Sequence, residues 1–176
     1  MIFIKYWLPY AHAANIFEVD MAFFKKHNVK YLLLDLDNTL DSYRLYKPTQ
    51  RTVDFIDNLK RNGITPIIIS NNTGKRVKGY AEALNVEFRH SIGKPFARNI
   101  LKLLKELNVS KDEVMIVGDQ MITDITAANR AGIKSILTDK IVKEDQWTTH
   151  FNRFFERGYR NRAMKKGKIK DWRELL

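Results

Sequence analysis

Two aspartates, Asp35 and Asp37, stand one residue apart at the end of an apolar run, Y-L-L-L-D-L-D-N-T-L over residues 31–40. On a strand, residues 35 and 37 point to the same side. Two carboxylates held that close repel, unless a cation bridges them or one is protonated. Three more polar groups punctuate later apolar runs: Ser70-Asn71-Asn72, Gly93-Lys94-Pro95, and Gly118-Asp119 with Asp124. Asp119 adds a third carboxylate, and a cluster of carboxylate oxygens suits a hard ion such as Mg²⁺. A carboxylate neutralised in this way can attack phosphorus and form an acyl phosphate. The second Asp is then free to pass a proton to the leaving oxygen and to take one back from water. Ser70 offers a hydroxyl, with backbone N–H groups following it, for a phosphoryl oxygen. Lys94, ahead of an expected helix start, offers a point charge for phosphate. Asp124, with Thr123 a candidate N-cap beside it, serves either the helix dipole or the support of the metal and Lys94. Each piece alone has an ordinary structural meaning as a turn, a cap or a solvated charge. The six residues D-L-D-N-T-L behind a buried strand tip the balance toward a site.

The elements that must position these groups are strands separated by single helices. Strands are expected at Tyr31–Leu34, Thr65–Ser70, Val86–Arg89, Glu113–Val117 and Ile133–Leu137. Val53, Ile56 and Leu59 fall at helical spacing, and a second helix covers Lys75–Leu84. Pro95 is placed as the first residue of a third helix. The spacing of Phe96, Ile100, Leu103, Leu104 and Leu107 gives that helix one apolar face. A short helix over Asp124–Ala131 ends at Gly132. This alternation predicts an α/β fold with a mainly parallel five-stranded sheet. In such a sheet the loops at the strands' C-terminal ends converge, so residues far apart in sequence share one site.

The chain of 176 residues favours one domain, organised as an N-terminal packing segment (1–28), a core (29–145) and a basic helix and tail (146–176). It has no cysteine, which excludes disulfides and thiolate metal sites and suits a reducing cytosol. The N-terminal segment is apolar but interrupted by Lys5, Pro9 and His12, so neither a secretory leader nor a membrane span is expected there. Thirty-one Lys and Arg against 20 Asp and Glu give a net charge of +11. From Phe151 to Leu176, nine basic residues face three acidic ones, more than half of that excess. Such a charge favours polyanionic partners: nucleic acid, anionic lipid headgroups or phosphorylated substrates.

The set D-L-D-N-T-L, S-N-N, G-K-P and G-D-Q-M-I-T-D, in this order across Asp35–Asp124, resembles the haloacid dehalogenase (HAD) phosphohydrolase superfamily. The spacing of the last motif, the Ser-Asn-Asn form and the basic tail are most similar to the YqeG-type group of subfamily IIIA. The resemblance implies a three-layer Rossmann-like fold and a phosphatase. It implies Asp35 as nucleophile, Asp37 as general acid and base, and Thr39 as a steadying neighbour. Mg²⁺ would be held by the Asp35 carboxylate, the Asp37 carbonyl and Asp119, with Asp124 supporting. Ser70 and Asn71 would bind the phosphoryl group, and Lys94 would neutralise charge.

The gaps between motifs hold one helix and a loop or short strand each, too little for a cap domain with a core of its own. The resemblance pairs such open sites with large or surface-bound substrates. Phosphatidylglycerophosphate is the candidate, since relatives of this group include a phosphatase for that lipid. The basic C-terminus leaves peripheral contact with an anionic membrane or RNA open. Two other readings stand beside the enzyme: a nucleic-acid- or ribosome-associated protein, and a phospho-receiver-like module without turnover.

Overall fold

Tyr31–Asp35 forms a strand whose alternate side chains belong to different cores. Leu32 and Leu34 pack in one apolar layer with Phe23, Phe55, Ile56, Leu59, Val77 and Tyr80. Leu33 packs in another with Ile100, Leu103, Leu104, Ala127 and Ala128. Each fully buried aliphatic side chain of this kind contributes roughly 1.5–3 kcal/mol. Both faces are covered by helices, which is why the strand reads as an unbroken apolar run instead of an alternating one.

The computed structural model describes residues 4–142 and 150–176. Its strands are β1 (Ala11–Ala13), β2 (Tyr31–Asp35), β3 (Thr65–Ile69), β4 (Glu87–Arg89), β5 (Val114–Gly118) and β6 (Lys134–Thr138). Its helices are α1 (Met21–Lys26), α2 (Gln50–Arg61), α3 (Gly74–Ala83), α4 (Arg98–Leu107), α5 (Thr126–Ala131) and α6 (His150–Lys165). The strands form one sheet in the order β1-β6-β5-β2-β3-β4, with every pairing parallel. Asp35 lies opposite Ile69 of β3, and Leu34 opposite Val117 of β5, so the ends of the three central strands fall side by side. This is the three-layer α/β arrangement expected, and the described residues include no cap domain. Among the described residues no helix is long and apolar enough to cross a membrane.

The sheet has six strands, not five. The extra one, β1, comes from the N-terminal segment, read from the sequence as packing, with Tyr6, Trp7 and Tyr10 also suiting an interface. Its three residues pair with Ile136, Leu137 and Thr138 of β6. Three residues are too few for sequence periodicity to declare a strand.

The third expected helix starts late. Lys94–Pro95 is a cis peptide bond, and α4 begins at Arg98. The carbonyl of Lys94, which an N-cap residue would give to its own helix, instead accepts the side-chain amide of Asn71 at 2.7 Å. Ile100, Leu103 and Leu104 are buried as the spacing requires, but Phe96 lies outside the helix and is 66% exposed. Ahead of α5, Met121–Ile125 forms a π-helical turn, so Thr123 is inside that turn and not an N-cap. The expected boundary between core and tail at 145/146 lies outside the described residues.

Candidate active site

Asp35 is the last residue of β2 and is buried. Its Oδ1 accepts a hydrogen bond from Lys94 Nζ at 2.6 Å, and its Oδ2 one from Thr39 Oγ1 at 3.4 Å. Lys94 Nζ also lies 2.7 Å from Asp124 Oδ1. Asn71 holds this lysine by its backbone, donating to its carbonyl and accepting its N–H at 2.8 Å. Lys94 is thus positioned by the turn that follows β3.

Asp35, Asp119 and Asp124 are all buried, and each places a carboxylate oxygen within 4.8 Å of the others. Asp119 follows Gly118, the last residue of β5. Gly118 has to be glycine: a Cβ there would lie 2.2 Å from Asp124 Cγ. Asp124 turns back over it, its Oδ2 accepting the Gln120 N–H at 3.2 Å and the Thr123 hydroxyl at 3.4 Å. Asp124 therefore belongs to the acidic cluster itself, a larger role than helix-dipole complementation.

The electrostatics follow from this crowding. Burial pushes the Asp35 carboxyl well above the ordinary carboxylate range; Lys94 opposes that, while Asp124, Asp119 and, least, Asp37 add to it. Burial works against the charge of Lys94, but Asp124 and Asp35 outweigh it and hold the ammonium above its ordinary value. Three buried carboxylates facing one another are the donor set that a hard divalent cation accommodates.

Asp37 is separated from this cluster. The strand ends at Asp35, so the alternation that would align the two side chains does not extend to it. Its carboxylate instead accepts hydrogen bonds from Arg76 and from the side-chain amide of Asn72. Residues 36–41 curl into a tight turn: Asn38, in the left-handed region at φ 64°, donates its N–H to the Asp41 carbonyl at 2.8 Å. Asp41 is buried and anchors the turn, accepting from Thr49 N–H and Oγ1 at 2.9 Å each, from Thr52 Oγ1 at 3.0 Å, and from Tyr80. Burial, and then that bond to Asp41, raise the Tyr80 phenol above its ordinary value. Ser70 is buried just past β3, and its hydroxyl accepts the Asn72 N–H at 3.0 Å.

All eight residues singled out in the sequence thus lie at the C-terminal edge of the central strands. Arg76, Asn72 and Asp41 are additions. Asp41 directly follows the first motif and Asn72 completes S-N-N, so both carried a signal. Arg76 is one cation among many, 39 residues from its partner Asp37. A separate groove of about 760 Å³, between α2, residues 17–21 and Trp172, contains none of these groups. We place the chemistry at the sheet edge because the buried charges are there.

Residues 6–132 match the family model of the haloacid dehalogenase-like hydrolases. The chain is 33% identical over 170 residues to the probable phosphatase YqeG of Bacillus subtilis, covering 97% of this chain and 98% of that protein. It is 25% identical over 154 residues, 81% of its length, to phosphatidylglycerophosphate phosphatase 1 of Arabidopsis thaliana, and spans 43% of that longer protein. A similar solved fold is 3-deoxy-D-manno-octulosonate 8-phosphate phosphatase from Moraxella catarrhalis, in complex with magnesium, phosphate and KDO. Its TM-score is 0.55 at 20% identity, over 69% of this chain and 75% of that one. The chain therefore belongs to the haloacid dehalogenase-like hydrolases and is a phosphatase of the YqeG type.

Proposed function

We propose that this phosphatase is a Mg²⁺-dependent phosphomonoesterase working through a phospho-aspartate on Asp35. The observation that carries the reading is the buried Asp35 carboxylate, 2.6 Å from Lys94 and inside a cluster of three carboxylates at an uncapped sheet edge. The residues to hold the metal are Asp35 and Asp119 by their carboxylates and Asp37 by its carbonyl, with Asp124 alongside. Bound there, the ion supplies positive charge that offsets the crowded carboxylates and the phosphoryl oxygens. Asp35 attacks phosphorus; the bond to the ester oxygen breaks, and that oxygen takes a proton from Asp37. Water then attacks phosphorus and gives its proton to Asp37, the bond between phosphorus and the Asp35 oxygen breaks, and inorganic phosphate leaves the restored carboxylate. The Ser70 hydroxyl and the Asn71 backbone N–H hold phosphoryl oxygens, and Lys94 balances their charge. Phosphoryl transfer asks little more of a protein than this positioning and electrostatic stabilisation.

The open edge and the net charge favour a phosphomonoester on a large or surface-bound carrier. Phosphatidylglycerophosphate is the candidate, supported by similarity to a phosphatase named for that lipid. The test is hydrolysis of para-nitrophenyl phosphate with Mg²⁺, with EDTA, and by Asp35→Asn. We expect EDTA to remove activity reversibly and Asp35→Asn to lower it by at least roughly 10³-fold. Activity surviving both treatments sinks the reading. A phospho-Asp35 stable for many minutes without turnover points to a receiver-like module instead.

A further inference from the structure

Between β2 and α2 the chain leaves the catalytic edge as a loop, residues 42–48, S-Y-R-L-Y-K-P. One carboxylate pins its ends together, since Asp41 accepts both the N–H and the hydroxyl of Thr49 at 2.9 Å. Arg76 pins its middle, donating to the carbonyls of Leu45 at 2.9 Å and Ser42 at 3.2 Å. The same guanidinium pairs with Asp37. The backbone is held, while the side chains stand out. Tyr46 is 73% exposed, more than any other large apolar side chain among the described residues, and Leu45 is 40% exposed. Arg44 and Lys47 flank them, both exposed, and no acidic residue falls between 42 and 48.

A second cationic element borders the site on its other side. Glu156 of α6 accepts the Ile122 N–H at 2.6 Å, and Arg160 meets His12 at 2.9 Å and Asp139. These contacts seat α6 at the ends of β1, β6 and β5, where its exposed Arg157, Arg162 and Lys165 add positive charge. The loop and α6 bracket Asp35 and Asp119 along one edge of the sheet.

We propose that residues 42–48 are a docking finger that seats the catalytic edge on an anionic lipid bilayer, with Arg76 joining the finger to Asp37. The inference rests on the phosphomonoesterase reading and adds which part of the chain meets the membrane. Arg44 and Lys47 suit any polyanion, but Leu45 beside Tyr46 suits the boundary between headgroups and acyl chains. A loop already pinned at Thr49 and Arg76 presents these tips with little ordering cost.

The experiment measures flotation with vesicles of equal parts phosphatidylcholine and phosphatidylglycerol, and hydrolysis of para-nitrophenyl phosphate and of vesicle-borne phosphatidylglycerophosphate. It compares wild type, the double variants Leu45→Ser/Tyr46→Ser and Arg44→Glu/Lys47→Glu, and the conservative Tyr46→Trp. Both double variants should melt with wild type and keep aryl phosphate turnover, yet lose roughly tenfold or more in vesicle affinity. Turnover of the vesicle-borne lipid should fall in parallel, and Tyr46→Trp should behave as wild type. Double variants that float like wild type overturn the proposal. So do double variants that lose aryl phosphate turnover, or a wild type that binds single-stranded RNA but not vesicles. Arg76→Lys should float normally while its kcat on the lipid falls; an unchanged kcat removes the coupling. A wild type that hydrolyses aryl phosphate without floating defeats the docking alone. A wild type that floats through the loop but hydrolyses nothing defeats the phosphomonoesterase reading alone.

Discussion

Two charged clusters sit on the same sheet edge and behave in opposite ways. At the first, Lys94 lies between Asp35 and Asp124 with 3% of its side chain exposed. At the second, His12 and Arg160 meet Asp139, whose side chain is 48% exposed. Burial and crowded carboxylates drive Asp35 up. Partial burial pushes Asp139 up as well, but His12 and Arg160 outweigh it and hold that carboxyl below its ordinary value. The first cluster has more negative charge than its ammonium can satisfy, so it gains from a further cation. The second is balanced by two partners and fastens α6 to the edge. Perturbed ionisation marks a functional site best when it comes from unrelieved like charge in a buried place.

Three substitutions bear on this contrast. Lys94→Met should have the largest effect, because it strands buried carboxylates without their ammonium; we expect a loss of about 3–5 kcal/mol in urea unfolding at neutral pH. A loss below about 1 kcal/mol would mean that the first cluster is as well solvated as a surface pair. Gly118→Ala forces a Cβ against Asp124 and should cost about 1–3 kcal/mol, with Asp124 displaced from the cluster and activity reduced. Unfolding curves together with aryl phosphate turnover check it, and a variant equal to wild type in both would remove the close packing from the argument. Asp139→Asn should cost less than about 1 kcal/mol at neutral pH, since solvent screens an exposed pair. Because the folded pKa of Asp139 lies below the unfolded one, its contribution is fully present above the unfolded value near 4. It is lost as pH falls through the lowered folded value. The stability gap between wild type and Asp139→Asn should therefore close in acid, and a gap that widens there would reverse the assignment.

Much of the site was legible because each strand announces its own end. Asp35, Ser70 and Asp119 each follow an apolar run, and Lys94 sits between a glycine and a proline. What was hidden depended on contacts across the fold. Pro95 suggested a helix start by residue type, but Asn71, 23 residues earlier, takes the carbonyl that a cap would use. Asp37 looked aligned with Asp35 because strand alternation was carried past the strand. Asp124 reads from the sequence either as a helix-end charge or as support for the metal and Lys94, and nothing there reveals the π-helical turn that folds it over Gly118. Strand β1 was missed because its apolar content also suits a packed coil, and only its pairing with β6 makes it a strand.

The two flanking strands, β1 and β4, have three residues each. Unpaired strand flanks are templates on which other chains add and polymerise. Here the outer side of β1 is occupied by the chain itself, where the His12 N–H donates to the Lys170 carbonyl and His12 bridges Asp171. The opposite flank carries Glu87 and Arg89, paired charges of the kind that make a short edge strand a poor template. One end of the sheet is therefore covered by the chain itself and the other is kept short and charged, and both devices disfavour edge-to-edge growth.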